Sequence, residues 1–201
     1  MNMRNVNIVA RYESKLLRRD IVFLGFVVIA LVGISLWQMI KQGRVNVFWY
    51  KVALPSSFPF FSMYYYNLVQ VLIALFVCME VVYRERKKDA MEVFLCRPFR
   101  NSEYCIGRFL GIFRMFLFVN ICVLLVCMYI NLWVVGAPFN VWIYVFYLLT
   151  LSLPTLIFVL GCALCISGMV KNRPVSVLVL GLWGLGVYFY LDEWQFGAFD
   201  F

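Results

Sequence analysis

The stretch 21-IVFLGFVVIALVGISLWQMI-40 carries no charge and is bounded by Asp20 and Lys41. As a helix it is about 30 Å long, the thickness of a bilayer's hydrocarbon core. It is longer than a signal-peptide core and no A-x-A-like site follows it, so it reads as a retained span. Four further apolar blocks cover 61–82, 109–130, 141–166 and 175–191. Glu80 lies near the end of the first of these four, Arg114 near the start of the next, and Pro154 inside the third.

Composition agrees. The chain has 201 residues, 65% of them hydrophobic and 14% charged, whereas soluble domains average about 45–50% apolar and about 25% charged. Too little polar surface is available to cover a core in water. The expected fold is an all-α membrane protein, a single domain over 1–201, with about five transmembrane helices. An amphipathic interfacial helix over 1–20 precedes them and a cytoplasmic segment, 83–108, joins the second span to the third. The length leaves no room for a separate soluble domain.

The net charge is +8, from eighteen Lys and Arg against ten Asp and Glu. Nucleic-acid binders gather such charge on a folded face; here it falls between apolar blocks, which fits topology and anionic lipid. No nucleic acid is expected. Fourteen basic residues precede Ile21 or lie in the second and fourth connectors, and three (Lys41, Arg44, Lys51) lie in the first. The positive-inside rule then predicts an inner-membrane chain with a cytoplasmic N-terminus and an external C-terminus. Trp37, Trp49, Trp133, Trp142 and Trp194 all fall near the outer interface that this orientation defines, as headgroup-seeking indoles should. The outer connector 41–60 contains Pro55 and Pro59 and is expected to be irregular, with room for a short interfacial helix.

Two cytoplasmic elements carry more information. On a helical wheel Arg4, Arg11, Lys15 and Arg18 share a narrow arc with Arg19 at its edge, opposite Val6, Val9, Tyr12, Leu16 and Leu17. Glu13 and Ile8 break the pattern. A helix lying in the headgroup plane needs this division, cations toward lipid phosphates and an apolar face toward acyl chains. The alternative is a positive flank that only fixes topology.

The connector 83–108 holds eleven charges, too many to bury at about 2.5–3.5 kcal/mol each. Within it Met91, Val93, Phe94 and Leu95 form an apolar knot. Asp89 and Glu92 are spaced as a capping box, and the Arg97-Pro98 step should end a short helix. Asn101 or Ser102 can cap the next helix, with Glu103 in its first turn. A short exposed helix of this kind offers Phe94 and Leu95 to a pocket in a partner; alternatively it folds back on its own bundle.

The stretch 80-EVVYRERKKDAMEVFLCRPFRNSEYCIGRFLG-111 resembles the cytoplasmic loop of ABC-transporter permeases of the type-2 exporter class. The matching residues are Glu92, Phe94, Leu95, Pro98, Arg100, Gly107 and Arg108, and the N-terminal segment is similar to the family's elbow helix. Asp89-Ala90 stands where that family often has Gly-Thr. Its permeases have six spans, so five imply a helix from another subunit or a shortened chain. The resemblance implies a permease subunit driven by a separate cytoplasmic ATPase. Residues 89–96 would dock on that ATPase through Phe94 and Leu95, with Asp89, Met91, Glu92, Arg97 and Arg100 around them. A second permease copy or partner would complete the pathway. The competing reading is a non-transporting assembly or regulatory subunit.

Other chemistry is missing. Without histidine there is no His relay, His metal site or Ser-His pair, and no lysine follows a glycine, so there is no Walker A loop. The sequence reads as neither an enzyme nor a cofactor binder. Cys162 and Cys165 form a C-x-x-C inside an apolar block, where two small packing residues are the simpler reading than a redox or metal pair. Within the spans Asn67, Gln70, Asn120, Thr150, Ser152 and Thr155 are the polar residues that can line a pathway. Otherwise they join helices by hydrogen bonds. Gly107 and Gly111 form a G-x-x-x-G, a sign of close helix packing.

Overall fold

The computed structural model describes residues 3–44, 57–85, 101–135 and 139–170, together with nine positions between 175 and 189. Among them there is no strand, and nearly every residue is helical. The helices are α1 (Met3–Leu17), α2 (Ile21–Arg44), α3 (Ser57–Glu85), α4 (Asn101–Ile130), α5 (Val141–Tyr147) and α6 (Leu153–Met169). A π-helical turn, Asn131–Val135, extends α4, and a second, Leu148–Ser152, joins α5 to α6 without a break. The described positions from Val175 to Phe189 are helical.

Three helices are long and apolar enough to cross a membrane: Ser62–Tyr83, Asn101–Trp133 and Val141–Met169; a fourth is added if the bent pair α1 and α2 is counted. Their outer faces carry Leu72, Phe76, Phe118, Leu125, Phe146 and Phe158 exposed. In water such exposed apolar side chains would mark interaction sites or a liability; in lipid they are ordinary surface. The architecture is compatible with a multi-pass membrane protein.

Local sequence accounts for the joints. After Leu17 the backbone closes with tightened turns, Arg19 N to Leu16 O at 3.1 Å and Asp20 N to Leu17 O at 3.1 Å. Asp20 then caps α2, its Oδ1 accepting from Val22 N at 2.9 Å, as a short carboxylate at a helix start should. The chain turns by 72° between the two helices. Asn140 plays the same part for α5, accepting from Trp142 N at 3.0 Å.

Both described ends of the connector 41–60 are helical. α2 runs on to Arg44, and α3 begins at Ser57, which puts Pro59 in its first turn, where a missing N–H has no partner to lose. α4 begins at Asn101 with Glu103 in its first turn, where the sequence signals a helix start, ahead of the apolar block 109–130. Through Trp133 it would be about 50 Å long at 1.5 Å per residue, more than the hydrocarbon core accepts. Its polar first turns, with Glu103 and Arg108, are the part best suited to lie outside.

The chain divides into two compact units. The first comprises 1–70 and 98–158. In it Phe23 of α2 meets Phe116 of α4 edge-on at 5.5 Å, with Phe26 5.9 Å from the same ring. The second comprises 71–97 and 159–201. There Ala74, Cys78, Val81, Leu160 and Ala163 are buried, and the Tyr83 hydroxyl donates to the carbonyl of Val170 at 3.5 Å.

Candidate functional site

Two constructions in the first unit involve residues singled out by the sequence. One is the seat of α1 on α4. A Cβ placed on Gly107 would lie 2.8 Å from the Val6 carbonyl oxygen and 2.8 Å from Val9 Cβ; one on Gly111 would lie 2.7 Å from Glu13 Cβ and 2.8 Å from the Ala10 carbonyl oxygen. Only glycine fits at either place. The G-x-x-x-G is therefore the face on which α1 rests. Contacts advance along both helices together: Asn5 Nδ2 donates to Glu103 Oε2 at 3.1 Å, and Ser14 Oγ donates to the Gly111 carbonyl at 3.0 Å. Arg114, which sequence alone lets snorkel to the interface, donates to Asn7 Oδ1 at 3.1 Å.

The buried stripe of α1 is Val6, Val9, Ala10, Glu13 and Leu17. It is rotated from the expected apolar arc: Tyr12 is exposed and Leu16 half-buried. It is covered by α4 where acyl chains were expected. The physical reason is the glycine pair, which rewards close backbone approach and so selects Ala10 over the larger Tyr12. Glu13, off-pattern in the sequence, is 3% exposed; the ionisable Glu103 and Arg108 are buried along the facing stretch of α4. Arg4, Arg11, Lys15, Arg18 and Arg19 are all exposed.

The other construction is a polar seam. Asn67 Nδ2 on α3 donates to Ser152 Oγ at 2.9 Å, and Asn120 Nδ2 on α4 donates to Gln70 Oε1 at 3.0 Å. These pairs lie one helical turn apart on α3, and all four residues are buried. Ser152 ends the π-helical turn before Pro154, where Leu153 N bonds the Leu148 carbonyl five residues back. Widening by one residue makes room for a proline ring that would clash in a regular α-helix. A third pair, Asn131 Nδ2 to Tyr144 Oη at 2.7 Å, marks the other π-helical turn.

Thr150 and Thr155 do not join the seam. Their hydroxyls donate to the carbonyls of Phe146 and Leu151, four residues back on their own helix, at 2.8 and 2.7 Å. Cys162 is half-buried and Cys165 exposed, both with free thiols. Sequence reading missed Tyr66 and Tyr144, both fully buried, because a tyrosine in an apolar block looks like one more aromatic. The proposed docking residues Asp89, Met91, Glu92, Phe94, Leu95, Arg97 and Arg100 lie outside the described residues.

No protein-family model, curated protein or solved structure matches the chain.

Proposed function

We propose that the chain is the membrane-spanning subunit of an ATP-driven exporter, coupled to a separate cytoplasmic ATPase through residues 83–108. The reading is carried by the pattern 80–111, an apolar knot between charged runs and then Pro98, Arg100 and Gly107-Arg108. Two structural observations support it. Helices flank the segment on both sides, α3 ending at Glu85 and α4 starting at Asn101. The N-terminal helix turns sharply from α2 with its cations outward, as a helix lying on anionic headgroups would.

In this reading the knot fills a groove in the ATPase, with Phe94 and Leu95 as the buried anchors. Closure of the ATPase pair moves these helices and shifts the bundle between two open states. Five spans, with the N-terminus and the second and fourth connectors in the cytoplasm, need a second copy or partner to enclose a pathway. The test is co-purification with the ATPase in the native membrane: Phe94→Asp should abolish it and Phe94→Leu should keep it. Unchanged association of Phe94→Asp would contradict docking. Cargo-stimulated ATP turnover in liposomes separates the exporter from the second reading, a non-transporting regulatory subunit held by the same knot.

A further inference from the structure

The asparagines of the seam leave the same kind of atom over. Asn67 Nδ2 donates to the Met63 carbonyl at 2.8 Å as well as to Ser152, and Asn120 Nδ2 donates to the Phe116 carbonyl at 2.8 Å as well as to Gln70. In each case one acceptor is a main-chain carbonyl four residues back. A carbonyl can only accept, so neither amide can be turned over and the position of its oxygen is fixed. Both Oδ1 atoms are buried with no hydrogen-bond partner among the described residues, and so is the Tyr66 hydroxyl, one turn before Gln70. Asn120 and Tyr66 are each 1% exposed.

Bare acceptors are costly in a hydrocarbon core, and their chemistry selects what relieves them. No charged side chain belongs to the seam. An anion would face carbonyl oxygens and be repelled, while an alkyl group would leave them unsatisfied. The Tyr66 hydroxyl can donate or accept, and thus complements a donor that also has lone pairs. We propose that Tyr66, Asn67, Gln70, Asn120 and Ser152 form an acceptor site within the bundle that takes O–H donors, either water or the hydroxyl groups of a solute. The proposal rests on the seam alone and goes beyond the ATPase-coupled reading.

The test uses the full chain in lipid nanodiscs, labelled with ¹³C at asparagine Cγ and on phenylalanine rings, with water-edited solid-state NMR. Asn67→Ser and Asn120→Ser variants assign the two signals. Magnetisation from water should reach both Cγ atoms as fast as it reaches exposed Asn101, and several-fold faster than it reaches the ring of lipid-facing Phe118. Titration with sucrose as a hydroxyl-rich probe separates the sources: a saturable change in both Cγ shifts identifies solute hydroxyls, and water transfer without it identifies water. Transfer as slow as to Phe118, with no sucrose response, would overturn the proposal and show a dry seam whose amides only join helices. That result would leave docking through residues 83–108 untouched.

Discussion

Two of the contacts that α4 makes in the first unit are built on opposite principles. Against α1 it offers two glycines, and the helices close because side chains are missing. Against α3 it offers Asn120, and the helices are joined by an amide reaching across. A contact made by absence tolerates almost no addition. A contact made by a polar pair tolerates loss of both partners better than loss of one, because the survivor is left buried and unsatisfied.

Gly111→Leu should show the largest effect. Its Cβ alone would lie 2.8 Å from the Ala10 carbonyl oxygen, a backbone atom that cannot step aside. We expect α1 to leave α4, seen as loss of the disulfide that an Asn5→Cys/Glu103→Cys pair forms otherwise. Retained cross-linking would mean that the glycines are not the seat. Asn120→Leu comes next, and should destabilise the protein by about 1–3 kcal/mol because Gln70 loses its donor. Adding Gln70→Leu should restore most of that loss in reversible unfolding in bicelles, whereas additive losses would argue against a paired contact.

Smaller effects sharpen the same contrast. Replacing exposed Arg4 and Arg11 with Gln should weaken the hold of α1 on anionic vesicles by about 1 kcal/mol each, an effect that fades with salt, and should leave the Asn5–Glu103 cross-link intact. Equal loss on neutral vesicles would show that the arginines do not face headgroups. Ser152→Ala should cost about 0.6 kcal/mol, the average for a hydrogen bond between membrane helices. Thr150→Val should stay within about 0.5 kcal/mol, since its hydroxyl only returns to its own helix. The reverse order would place Thr150 in the seam.

What sequence revealed depended on whether a signal names its own partner. A long apolar run needs only lipid opposite it, so the long apolar helices over 61–82, 109–130 and 141–166 were legible at once. Gly107 and Gly111 announced that some backbone comes close. They could not say which, because glycine is complementary to any helix, and the answer was Val6, Val9, Ala10 and Glu13. Asn67 and Gln70 were legible as one face of α3, while their split between Ser152 and Asn120 depends on packing. Thr150 and Thr155 share the same polar signal but bond the carbonyls of Phe146 and Leu151, because a threonine in an apolar helix can satisfy itself four residues back. Pro154 was visible inside an apolar block, but not that a π-helical turn would absorb it and present Ser152.

The account depends most on residues 83–108 facing the cytoplasm as an offered surface. A chain with its seven cysteines replaced and a single new one at Asp89 can be treated with a membrane-impermeant maleimide in inverted and right-side-out vesicles. The account predicts labelling in inverted vesicles only, and protection there when the ATPase is bound. Labelling confined to right-side-out vesicles would reverse the topology and remove the coupling proposal with it.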